Sequence, residues 1–153
     1  MTKTELTAML TAKDDKIACA FTEKIIAESR ETDEWYAYFD VFAPLLSHSK
    51  SYVRNRSISL LAVNARWDEE NRLDGVLTEL LSHITDEKPI TARQCVKALA
   101  EVGRAKPHLV PAILTALNDA DLSQYRDSMC PLIEKDIRET AGSLTEVLAA
   151  KEN

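Results

Sequence analysis

The chain has 153 residues, enough for one domain with a sizeable core, and at 45% hydrophobic and 29% charged its composition is globular. Three glycines and five prolines leave little room for hairpins or phosphate-cradling loops, so an all-α fold built from Ala, Leu, Glu, Lys and Arg is expected. A formal net charge of −6 argues against general affinity for nucleic acid or an anionic membrane, no stretch approaches the roughly 20 apolar residues of a membrane span, and Met1-Thr2-Lys3 opens no secretory leader.

A short helix is expected near residues 4–12. The next apolar stripe, Ile17, Phe21, Ile25 and Ile26, marks a helix, and "EWYAYFDVF" from Glu34 to Phe42 follows it with five of the nine aromatic residues. Trp35, Tyr38, Phe39 and Phe42 share helical spacing and read as core, while Tyr36 points to another face. Ile58, Leu61, Ala62 and Ala65 form the stripe after that. Val96, Leu99, Ala100 and Val102 form another, opened by a capping box at Thr91 and Gln94 and broken at Gly103 before Pro107 starts a partner helix. Met129, Leu132 and Ile133 form the last stripe, and "SLTE" at Ser143 offers a capping box for a final helix.

The tetrapeptide Leu-Leu-Ser-His occurs twice, ending at His48 and at His83, 35 residues apart. Val41-Phe42 precede the first Leu-Leu pair by four residues, as Val76-Leu77 precede the second. Leu109-Val110 stand in the same relation to Ile113-Leu114, and Ser143-Leu144 to Val147-Leu148, at further steps of 33 and 34 residues. Paired apolar residues at i, i+1, i+4 and i+5 make one helical stripe. The unit is helix, turn, helix, turn, with approximate copies at 14–48, 49–83, 89–118 and 122–150 of a single domain, 1–153. One helix pair cannot bury its apolar face alone, so stacking into a solenoid is expected ahead of a simple bundle.

Two inter-unit turns, "ITDEKPITAR" and "LNDADLSQYR", each place an aspartate (Asp86, Asp119) seven residues before an arginine (Arg93, Arg126). The unit beginning near Ser49 has Ser49 in place of the aspartate, with Arg54 or Arg56 as the arginine. This pattern resembles the HEAT-repeat family and its armadillo-like relatives. The resemblance implies a right-handed α-α superhelix of about four helix pairs plus the short N-terminal helix, with surfaces that bind other macromolecules. It also implies that Asp86, Arg93, Asp119 and Arg126 organise contacts between neighbouring units.

Chemistry is sparse. His48 and His83 end equivalent helices and His108 begins another. Equivalent residues of stacked helices lie about 8–10 Å apart, too far to share a metal, and no further ligands stand at matching spacing. Cys19, Cys95 and Cys130 are widely separated and read as reduced core thiols, consistent with a cytoplasmic protein. No nucleophile-base pair or cofactor motif appears, so neither catalytic residues nor a metal or cofactor is expected.

Charge is more informative. Val41 to Trp67 holds four bases (Lys50, Arg54, Arg56, Arg66) and no acid, and Lys88 to Asn118 holds five bases against Glu101 alone. Residues 14–40 carry eight acids and three bases. A basic ridge beside an acidic end is expected, with Tyr36, Trp67, Arg54, Arg56, Arg104 and Lys106 contacting a partner from the second helices and adjoining loops. The expected function is a non-catalytic protein-protein interaction module or scaffold with a protein partner, one with an anionic surface suiting those bases. The alternative is a nucleic-acid binder similar in architecture alone to bacterial alkylpurine DNA glycosylases, whose HEAT-like solenoid carries a cationic cleft.

Overall fold

A computed structural model describes residues 1–152, so Asn153 of the expected domain lies outside the described residues. Among these residues there are eight α-helices, six 3₁₀ segments and no strand. The helices are α1 (Lys3–Leu10), α2 (Asp15–Ser29), α3 (Phe39–Phe42), α4 (Ser51–Asn64), α5 (Leu77–Ser82), α6 (Pro89–Ala105), α7 (Val110–Asn118) and α8 (Cys130–Glu152).

Local chemistry explains most of the boundaries. Thr2 and Glu5 form a reciprocal capping box on α1. The Asp14 carboxylate caps α2, accepting from the amides of Lys16 and Ile17. The box expected at Thr91 does not form. Pro89 occupies the first turn and starts α6 three residues sooner, while the Asp86 carboxylate takes the Lys88 amide at 2.9 Å. Thr91 is thereby drawn into the helix and buried, and the Gln94 amide donates to Ser59 Oγ instead.

The long helices α2, α4, α6 and α8 form the frame. α4 packs against both α2 and α6, and α6 against both α4 and α8. Between them run shorter, mixed segments. A 3₁₀ stretch precedes α3 (Glu34–Tyr38) and another follows it (Ala43–Ser47), where Pro44 removes a backbone donor from what the spacing predicts to be one regular helix. Arg72–Val76 before α5 is 3₁₀ as well. There the Asp68 carboxylate accepts from the amides of Arg72 and Leu73, and Asn71 adopts the left-handed region at φ 56° that asparagine tolerates.

The fourth unit departs from expectation. "SLTE" caps nothing, because α8 runs unbroken through Gly142 and Ser143. Contacts on both sides of Gly142 hold the helix along α6: Thr140 Oγ1 donates to the Val96 carbonyl, and Leu144 is fully buried against Gly103. Gly103 likewise does not end α6, which continues to Ala105. Its role is close approach, since a Cβ there would stand 2.3 Å from a Leu144 methyl.

One core contains the paired apolar positions. Phe42, Leu45, Leu46, Leu80, Val110, Ile113 and Leu144 are all buried in it. Trp35 and Tyr38 pack at its margin, and Ile17 stays outside it. Of the three cysteines only Cys95 is a core thiol; Cys19 is exposed and Cys130 half-buried. Several side-chain hydrogen bonds recur at similar sequence separations: 32 residues for Ser47 to Glu79, 34 for His108 to Asp74, and 35 for Asn64 to Ser29 and Gln94 to Ser59.

Candidate functional site

The polar residues singled out in the sequence converge on three carboxylates, two buried (Asp68, Asp86) and one part-exposed (Asp15). Asp68 is buried in the turn after α4. It accepts from the Tyr36 hydroxyl at 2.5 Å and from the amides of Arg72 and Leu73 at 2.8 and 2.9 Å. The Lys106 ammonium, also buried, stands 3.3 Å from the same carboxylate and donates to the Asp68 carbonyl and the Asn71 side chain. One aspartate thus joins side chains from three successive units. Burial alone would push its carboxyl up, but the Tyr36 hydroxyl, the two amides and the Lys106 charge outweigh it and hold the carboxyl below its ordinary value. The same environment pushes the Tyr36 hydroxyl up, first by burial and then by the carboxylate it serves.

Asp86 has the same design. Arg54 of the preceding unit grips it with two parallel hydrogen bonds, 2.9 Å from Nε and 2.8 Å from the terminal nitrogen. His83 Nδ1 lies 2.7 Å from Oδ2, the oxygen that also accepts from Arg54 Nε. Burial opposes ionisation of Asp86, and Arg54, the Lys88 amide and His83 together hold its carboxyl below the usual range. Arg54 also donates to the carbonyls of His48 and Ser49, so the two Leu-Leu-Ser-His segments meet at this pair. His48 Nδ1 itself accepts from the Lys50 amide.

The third is Asp15, which receives Arg56 at 2.9 Å; that bond holds its carboxyl low. Arg56 is buried and reaches the Leu10 carbonyl as well.

These placements correct the expected contact surface. Arg54, Arg56 and Lys106 are buried, because each long cation finds an aspartate or carbonyl one unit away. Tyr36 and Trp67 are half-buried with their donors turned inward, Trp67 Nε1 to the Ser29 carbonyl at 2.6 Å. Arg104 alone of the six is exposed. Nor do the bases form a ridge: Arg66 pairs with Glu101, and Arg93 with Asp136 at 2.6 Å. Of the four residues singled out in the turns, Asp86 and Arg93 bond across units, to Arg54 and Asp136, rather than to each other. Asp119 and Arg126 are exposed, and among the described residues neither joins a neighbouring unit by a side-chain bond. Sequence reasoning missed Asp68 and Asp136, since an aspartate at a helix start or on a helix face reads as solvated until the facing helix is known.

The molecule also exposes large apolar side chains near its helix starts. Ile17, Tyr52, Ile90 and Leu132 are 57%, 58%, 70% and 39% accessible. Each is the second or third residue of a long helix, α2, α4, α6 and α8 in turn, at intervals of 35, 38 and 42 residues. Beside Tyr52 a groove of about 590 Å³ spans α2, α4 and α6, lined by Cys19, Ile26, Asn55 and Gln94 among others. Among the described residues no group of three or more His, Cys, Asp or Glu side chains is placed to hold a metal. Among the described residues no helix is long and apolar enough to cross a membrane. Comparison with protein-family models, with curated proteins and with solved structures finds no match.

Proposed function

We propose that the chain is a HEAT-like α-solenoid acting as a non-catalytic protein-protein interaction module, with the N-terminal ends of its four long helices as the contact face. Serial packing of α2, α4, α6 and α8 and the recurrent one-unit hydrogen bonds support the repeat architecture. The observation that carries the function is the recurrence of one exposed large apolar residue at the same place in every long helix. Single exposed hydrophobics are ordinary on a protein surface. Four at corresponding positions of successive helices make a strip, the kind of surface that marks a docking site.

The proposed contact lies on the first helices and not on the second helices and loops expected from the sequence, since Arg54, Arg56 and Lys106 are buried and bonded to aspartates. The nucleic-acid alternative loses its main motive for the same reason. The partner is a protein presenting an apolar strip of its own, and the half-buried Asn55 and Gln94 beside Tyr52 suit its polar margin.

A photo-crosslinking residue at position 52 or 90 is expected to capture one discrete partner in cells, while the same residue at exposed Asn118 on α7 captures none. With that partner purified, Tyr52→Arg combined with Ile90→Arg is expected to weaken binding at least about tenfold without lowering the melting temperature. Unchanged affinity in the double variant would remove this face from the interaction.

A further inference from the structure

The opposite ends of the long helices carry a second, polar recurrence. Arg30 caps the C-terminus of α2, Arg66 follows the end of α4, and Arg104 lies in the last turn of α6, at intervals of 36 and 38 residues. The three line one cleft of about 480 Å³ together with Glu101 and Ala105. Arg66 is anchored, donating to the carbonyls of Val63 and Arg30 and to Glu101 at 3.0 Å. Arg30 and Arg104 are exposed, and among the described residues their guanidinium groups engage neither a carboxylate nor a carbonyl. The cleft therefore holds three guanidinium groups against one carboxylate. Helix-end dipoles favour cations here, but a dipole alone does not gather three of them around a shared concavity.

We propose that this cleft binds a carboxylate-rich segment of a protein partner. Arginine forks recognise carboxylates by paired hydrogen bonds. Neighbouring packed helices lie about 8–10 Å apart, and an extended polyproline-type chain returns to the same face every three residues, about 9 Å along. A segment with glutamate or aspartate at every third position thus matches the row. A nucleic-acid strand does not. Glu31, Asp33 and Glu34 follow Arg30, and Glu69 and Glu70 follow Arg66, all exposed; a continuous phosphate chain leaving the cleft meets these carboxylates, whereas a short acidic segment ends before them. The net charge of −6 opposes a long polyanion further. This proposal rests on the interaction-module reading but uses the far ends of the helices, so its variants leave Tyr52 and Ile90 untouched and the two fail separately.

The test is a fluorescence-anisotropy titration of the full chain at low salt with three labelled probes: a peptide bearing glutamate at every third position, a peptide of equal charge with its glutamates clustered, and an oligonucleotide of equal charge. The spaced peptide is expected to bind tightest and to weaken as salt rises. Arg30→Gln and Arg104→Gln, neither of which removes an internal bond, should each weaken it about fivefold, and the pair about 25-fold, with melting temperatures unchanged. No binding of the spaced peptide, equal binding by the double variant, or a preference for the oligonucleotide would each overturn the proposal.

Discussion

Asp86 and Asp119 occupy look-alike turns, yet only one of them has a buried cation to answer. Replacing Asp86 with alanine leaves Arg54 enclosed without its carboxylate, and breaking a buried pair in this way costs about 3–5 kcal/mol. Asp119→Ala, on the surface, should stay within about 0.5 kcal/mol of the parent. Urea midpoints of the two variants settle the contrast, and equal losses would contradict the geometry. The turn motif itself was legible in the sequence. What separates its two copies is the partner one unit upstream, Arg54 in one case and Arg93 in the other, and Arg93 is diverted to Asp136 on α8. No spacing rule within a single turn carries that information. Arg54, Arg56 and Lys106 were misplaced for a related reason. A run of bases without acids nearby in sequence reads as a surface, although its acids stand one unit away in the fold.

Two glycines test how the helices end and meet. Gly142 lies inside α8 with nothing within 4 Å of an added Cβ, so Gly142→Ala should stabilise the protein by about 0.5–1 kcal/mol through helix propensity. A break at that point, as the Ser143 capping box suggested, would make the same change destabilising. Gly103 also lies inside a helix, but its Cβ would meet Leu144 and Val110. There the propensity gain is outweighed by overpacking of about 1–3 kcal/mol, and trimming Leu144 to alanine in the same chain should recover part of that loss. Thermal melts of the three variants give the signs directly. Apolar spacing revealed α2, α4, α6 and the buried pairs well, because burial of a helical stripe is a property of the segment itself, but it divided α8 in two. The 3₁₀ character around α3 and α5 was not visible that way. It arises where Pro44 withholds a donor and where the Asp68 carboxylate takes amides from a helical start.

Across the whole molecule the units are held by carboxylates that must stay charged. Asp15, Asp68 and Asp86 all titrate below their ordinary range in the folded chain. A depressed carboxyl contributes stability that is fully present above the unfolded value, about 3.9, and is lost as pH falls through the folded value. Stability should therefore hold from neutral pH down to about 5 and then decline steeply through and below about 4, as followed by circular dichroism in urea at each pH. A chain most stable at pH 3 would contradict the role given to these pairs. Their arrangement also bears on how such a chain can change over generations. Each seam is keyed by its own set: Asp15 with Arg56, Arg54 with Asp86, Arg93 with Asp136, and Asp68 between Tyr36 and Lys106. On the proposed repeat reading, tandem duplication of one helix pair would leave a buried Arg54, Arg56 or Lys106 without its aspartate at the new boundary. Lengthening or recombining the helix pairs would then require compensating substitutions on both sides of every new seam.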